Sequence, residues 1–154
     1  MFVQDFMIVE CSARAVVAEL RAGGRAFLGE AVAVAGAGLE DLRVKVGPER
    51  WPALLAKTVE VTLGPVREHG EVTLIAFSWR ATGLGSLFPL LDADLEVSPL
   101  GEDHCELALR GRYVPPGGTP GRMVDRLLLH RLADATVRAF LSHLALRLAA
   151  AAPA

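Results

Sequence analysis

This sequence is poor in the features that usually announce a function. It has two cysteines, Cys11 and Cys105, far apart in the chain and without metal-ligand spacing. That gives no disulfide framework, and the expected state is two reduced, buried thiols in a cytosolic protein. Positive charge is not in excess. With a net charge of -2 and a pI near 6.1, nothing electrostatic draws the chain to nucleic acid. The first residues, MFVQDFMIVEC, have no basic stretch and carry Asp5 and Glu10 early, so they do not read as a signal peptide. No apolar run approaches the ~20 residues that span a bilayer. The nearest, AVAVAGAGL at 31–39, is short and glycine-rich. Internal repeats are absent, and the one biased segment is the alanine-rich stretch at 149–154, which is expected to fray.

Catalytic motifs are missing as well. No HExxH spacing occurs, and the four histidines, His69, His104, His130 and His143, do not group as metal ligands. His69 falls in a turn beside Gly70 and His104 starts a strand on its wet face, so both are expected at the surface. None of the serines sits in a GxSxG elbow. The glycines at 23–24, 36–38 and 117–121 form neither GxGxxG nor a phosphate loop, since GAGLED at 36–41 has no lysine. Neither a cofactor nor a metal is expected.

What the chain does have is core. Hydrophobic residues make up 52% of its 154 positions and charged ones 22%, which suits one globular domain over residues 1–154. Residues 2–9 read as a strand with Phe2, Phe6 and Ile8 on one face. Ser12 can cap a short helix through Leu20, which Gly23-Gly24 would end. A weaker second helix is expected over about residues 25–35. The period then changes to two. LRVKV at 42–46, KTVEVTL at 57–63, EVTLIAFSWRA at 71–81, LLDADLEV at 90–97 and HCELALRGRY at 104–113 each read as strands. The third is apolar on both faces. In the last two, Leu91, Ala93, Leu95 and Val97 alternate with acids, and Cys105, Leu107, Leu109 and Tyr113 alternate with Arg110 and Arg112. Opposite charges on neighbouring strands favour an antiparallel pair by about 0.2–1 kcal/mol each.

Between this last strand and a long helix lies VPPGGTPGR at 114–122. Pro115 and Pro116 stop the strand, Gly117 and Gly118 permit a reversal, and Thr119 and Pro120 suit a helix start. From about Gly121 to Ala149 leucine, alanine and arginine dominate, a helix of roughly 40 Å. Arg131, Asp134 and Arg138 form one polar stripe able to pair along the surface. Leu129, Ala133, Val137, Phe140, Leu141, Leu144 and Leu148 make one apolar side, and Leu128, Leu132, Ala135, Ala139 and Leu146 another. That apolar arc is wider than one sheet requires. Its second side needs helices, an apolar ligand or another subunit to cover it, so a homodimer is compatible with the sequence.

Strand, helices, a run of strands and one long helix indicate the α+β class, an antiparallel sheet of about six strands curled around the C-terminal helix, with one or two short helices after the first strand. Such a layout leaves a concave apolar space. It resembles the START-like, or helix-grip, superfamily, which includes lipid-transfer domains, Bet v 1-like proteins and bacterial polyketide cyclase/dehydrase-like proteins. The residues carrying the resemblance are SWRATGLGSLFPLLDADLEVSPLG, ELALRGRYVPPGG and GRMVDRLLLHRLADATVRAFLSHLA. The resemblance implies an internal cavity and a hydrophobic ligand, such as a lipid, an isoprenoid or an aromatic, polyketide-like molecule. It brings no catalytic residue with it.

The cavity candidates are Phe77, Trp79, Phe88, Leu95, Leu109 and Tyr113 from the strand region, and Asp125, Leu132, Thr136 and His143 from one face of the helix. Trp79 and Tyr113 each carry a donor that needs a partner when buried. The reading expected first is a cytoplasmic, non-catalytic module binding a small hydrophobic ligand. Two others stay open: a cyclase/dehydrase-like enzyme using polar residues in the cavity, and an interaction module whose cavity is filled by its own side chains.

Overall fold

Strand β1 (Phe2–Val9) leads into a 34-residue helix, α1 (Ala13–Val46), and Ser12 caps it, its Oγ accepting the Ala15 N–H at 3.2 Å. Strands β2 (Val59–His69), β3 (Val72–Ala81), β4 (Leu90–Pro99) and β5 (Cys105–Val114) follow, and helix α2 (Arg126–Ala151) closes the chain. The computed structural model describes residues 1–46, 59–81, 90–114 and 126–151, without the side chains of 34, 36–46, 59, 81, 126–129 and 132. The proline–glycine corner at 115–120, Phe88 and Asp125 lie outside the described residues, as does the Leu132 side chain.

The described strands form one antiparallel sheet in the order β1-β5-β4-β3-β2. This is the helix-grip arrangement, a curved sheet against a C-terminal helix. Antiparallel pairing of sequential strands builds the β2–β5 meander. Between β2 and β3, His69 pairs with Val72 across a two-residue loop. Gly70 takes φ of +62° there while Glu71, like every non-glycine among the described residues, does not have positive φ, which defines a type II′ turn. β4 and β5 pair as their charges favour, with Asp92 opposite Arg112 and Asp94 opposite Arg110. The ion pairs run diagonally and onward: Arg110 to Glu96 at 3.7 Å, Arg67 to Asp94 at 2.7 Å and Arg80 to Asp92 at 3.8 Å. At Gly64-Pro65 the register of β2 against β3 shifts by one residue. A bulge and a proline are both tolerated there because β2 is an edge strand.

Two expectations are corrected. The helix after β1 is one element, not a short helix ended by Gly23-Gly24 and a second over 25–35. Each interior glycine costs about 1 kcal/mol relative to alanine. Val16, Leu20, Leu28, Ala31 and Ala35 line one buried stripe along it, and burying that stripe outweighs the local cost. Gly24 lies on the same stripe, where a Cβ would stand 3.4 Å from Leu63. Residues 42–46, expected as a strand, complete α1, so the described sheet has five strands rather than about six. Five alternating residues are too few to separate strand from helix by period, and a helix already running gains a hydrogen bond with each added residue.

The tertiary structure decides which face of β1 turns inward. Phe2, Phe6 and Ile8 do share a face, but it is the outer one, and they are 55–65% exposed. Val3 and Val9 are buried instead. Apolar residues occupy both parities of this strand, and Asp5 goes inward with the valines. There its carboxylate takes a forked pair of bonds from Arg138 of α2, 3.0 and 3.2 Å, and accepts the Phe6 N–H at 2.9 Å. Arg138 therefore clamps α2 to β1 rather than pairing with Asp134 along the helix.

Candidate functional site

The inner face of the sheet meets α2 in an almost wholly apolar interior. β3 contributes Ile75, Phe77 and Trp79, β4 Leu91, Leu95 and Val97, β5 Leu107, Leu109 and Tyr113, all buried. The alternation of each strand determines which side chains face inward, and register aligns them. Trp79 pairs with Leu91, and Leu91 with Tyr113. Trp79 and Tyr113 thus flank one leucine in a single row, their backbones about 10 Å apart at the usual strand spacing. From α2, Thr136 and Phe140, one turn apart, turn toward the sheet. Phe140 stacks on Phe77 with centroids 5.5 Å apart and meets Trp79 edge-on at 5.2 Å.

Two buried polar atoms in this row, Trp79 Nε1 and Tyr113 Oη, find no aligned hydrogen-bond partner, and neither does His143 Nε2 elsewhere on α2. Burial pushes the Tyr113 phenol from 10.0 up to about 12, while the Thr136 side chain pulls it back. Tyr113 stays protonated at neutral pH, so its phenol carries a proton it can donate.

Of the candidate residues, Phe77, Trp79, Leu95, Leu109, Tyr113 and Thr136 are all buried in this interior. His143 is half-buried, with its Nε2 inside. His69, His104 and His130 are exposed. Sequence reasoning gave Phe140 to the helix core and missed it as the ring that ties the helix to Phe77 and Trp79; its position one turn from Thr136 was the available signal. The second apolar side of α2 is largely open, with Ala135 exposed and Leu146 71% exposed.

The two cysteines, distant in sequence, come together below this row. Cys105 pairs with Val9 at the end of the β1–β5 ladder, and Cys11 follows two residues later. Both thiols are free. Burial, and then the neighbouring Cys11, push Cys105 up to about 12, and burial raises Cys11 as well. Among the described residues no group of histidine, cysteine and carboxylates is arranged to hold a metal.

A trough of about 660 Å³ lies on the opposite, outer face of the sheet, floored by Gly64, Ala76 and Ser78 and edged by Arg110, Arg112 and Asp92. It is separate from the interior just described. No described helix is long and apolar enough to cross a membrane.

No known protein family matches the chain, and no curated protein does. Solved structures show its fold. A conserved protein from Geobacillus kaustophilus aligns over 99% of this chain and 98% of its own, with a TM-score of 0.52 at 6% identity. A hypothetical protein from Helicobacter pylori aligns over 96% and 87%, with a TM-score of 0.46 at 15% identity. An aromatase/cyclase from a Streptomyces species aligns over 96% and 93%, with a TM-score of 0.45 at 11% identity. The Geobacillus match extends along both chains almost end to end and supports the architecture alone, since fold does not carry function.

Proposed function

We propose that this protein binds a small, largely apolar molecule between the sheet and α2 without transforming it. The observation that carries this reading is the set of buried polar atoms without aligned partners, Trp79 Nε1 and Tyr113 Oη in an interior otherwise built of aliphatic and aromatic side chains, with His143 Nε2 a third on α2. A buried donor left unpaired costs roughly 1–3 kcal/mol, and native interiors hold few of them. Several in one apolar region are accounted for by a ligand that supplies the missing partners. The free thiols fit a reducing compartment such as the cytoplasm.

Native mass spectrometry of the protein purified from cells tests this. The expected result is a retained small molecule that leaves on denaturation and raises the melting temperature when added back. Bare protein, unaffected in melting by an apolar extract of the same cells, would overturn the reading.

A further inference from the structure

We propose that Cys11 and Cys105 form a site of oxidative modification, closing to a disulfide that ties the β1–α1 corner to the start of β5 when a peroxide reaches the protein. The proposal goes beyond the binding reading above and stands or falls without it.

Placement brings the two thiols together. Cys105 opens β5, where it lies opposite Val9, the last residue of β1. Both point inward, Val9 2% and Cys105 0% exposed. The chain then bends at Glu10 and Cys11 instead of running on as strand, and α1 starts at Ala13. The bend leaves the Cys11 side chain packed against the core that holds Cys105, and the two thiols are in hydrogen-bond contact. The backbone on both sides is anchored. Ser12 caps α1 through the Ala15 N–H at 3.2 Å, and the Leu100 N–H donates to the His104 carbonyl at 2.9 Å just before Cys105. The pair therefore meets as part of the folded frame rather than on free loops.

Exposure divides the work. Cys11 is partly exposed and Cys105 is buried, so the peroxide meets Cys11 first. The Cys11 thiolate attacks one peroxide oxygen. An S–O bond forms, the O–O bond breaks, and the second oxygen leaves as hydroxide, which takes up the proton that Cys11 lost. Cys105 then attacks the Cys11 sulfur. An S–S bond forms, the S–O bond breaks, and the hydroxyl leaves as water with the Cys105 proton. Two thiols have lost two electrons, and one peroxide has become two waters. Burial raises both thiols, so the first step is slow at neutral pH and quickens with alkali. The second joins groups already in contact and outruns attack by a second peroxide. The bond closes a loop of about 95 residues, which restrains the unfolded chain far more than the folded one.

Peptide mapping tests this. Reduced protein, freed of reductant, is treated with hydrogen peroxide, quenched by alkylation and digested with trypsin. Cleavage after Arg14, Arg80 and Arg110 releases residues 1–14 and 81–110, each carrying one cysteine. The expected result is these two peptides joined, from an intact protein that has lost two hydrogens and stays monomeric on a non-reducing gel. Its melting temperature should rise by roughly 4–16 °C and return with dithiothreitol. Cys11→Ser should keep Cys105 reduced and show no rise. Four results would each overturn the proposal: Cys11 as sulfinic or sulfonic acid with Cys105 free, a disulfide between the Cys11 residues of two molecules, both thiols intact at a dose that oxidises the urea-unfolded protein, or a linked protein that melts no higher than the reduced one.

Discussion

Phe140→Ala is the sharpest probe of how α2 is held to the sheet. The side chain is 0% exposed, stacks on Phe77 at 5.5 Å and meets Trp79 edge-on at 5.2 Å. Truncating a buried phenylalanine to alanine costs about 3–5 kcal/mol through lost transfer energy and the cavity left behind. The whole domain is held by about 5–15 kcal/mol, so roughly a fifth or more of its stability rests on this ring. For a chain of this length each kcal/mol moves the melting temperature by about 2–4 °C, giving a fall of roughly 6–20 °C. Urea unfolding followed by far-ultraviolet circular dichroism measures the loss, with an unchanged slope showing that both states keep their compactness. Leu146→Ala on the open side of α2, 71% exposed in the wild type, is the control and should stay within about 0.5 kcal/mol. A double-mutant cycle with Phe77→Ala isolates the stacking, expected at about 0.5–1.5 kcal/mol. A Phe140→Ala loss below about 1 kcal/mol would refute the packing argument, because no closely packed ring can be removed so cheaply.

Two glycines should respond in opposite directions. A Cβ at Gly111 would sit 2.5 Å from Ala93 Cβ and 2.6 Å from the Asp92 carbonyl oxygen, so Gly111→Ala should destabilise by about 1–3 kcal/mol or more. At Gly29 nothing lies within 4 Å, and Gly29→Ala in the middle of α1 should stabilise by about 0.5–1 kcal/mol in the same melting assay. Alkali should unfold the protein selectively. Cys105 and Tyr113 rise from 9.0 and 10.0 to about 12 in the folded chain, so the unfolded chain loses these protons first. The stability they contribute is complete below about pH 9 and is lost as pH climbs to about 12. Tyr113→Phe should remove the phenol's share of that slope in a melting series across alkaline pH; an unchanged slope would contradict the burial of the phenol. Thiol labelling near pH 8 should find Cys11 slow and Cys105 inert in the native protein, and both reactive in denaturant. Rapid native labelling of Cys105 would show that this end of the β1–β5 ladder opens.

Much of the fold is legible in local pattern. The alternation through Leu91–Val97 and Cys105–Tyr113 named the inner and outer faces of β4 and β5, and the acids and arginines on the wet faces anticipated their antiparallel pairing. The stripe Ala133, Val137, Phe140, Leu141, Leu144 and Leu148 is the buried side of α2 as read. Local signals misled where two patterns fitted the same residues. Gly23-Gly24 looked like a stop because glycine propensity is local, while the stripe that carries α1 through them gains its energy from neighbours far away in sequence. The candidate site was legible as residue types, since a buried Trp79 or Tyr113 announces a donor in need of a partner. Whether that partner existed was not, because it depends on which side chains the other elements bring.

By itself, then, the sequence determined the elements that repeat a period: the strands of the β2–β5 meander, their wet and dry faces, the long terminal helix and its buried stripe. Periodicity is a property of neighbours in the chain and survives without a tertiary context. The tertiary structure alone decided that β1 turns Val3 and Val9 inward and leaves Phe2 and Phe6 outside, that Cys11 meets Cys105, and that Trp79 and Tyr113 are buried without partners. Each of these turns on a contact between residues distant in sequence, Asp5 with Arg138 first among them. No local pattern encodes which of two apolar faces such a contact will choose.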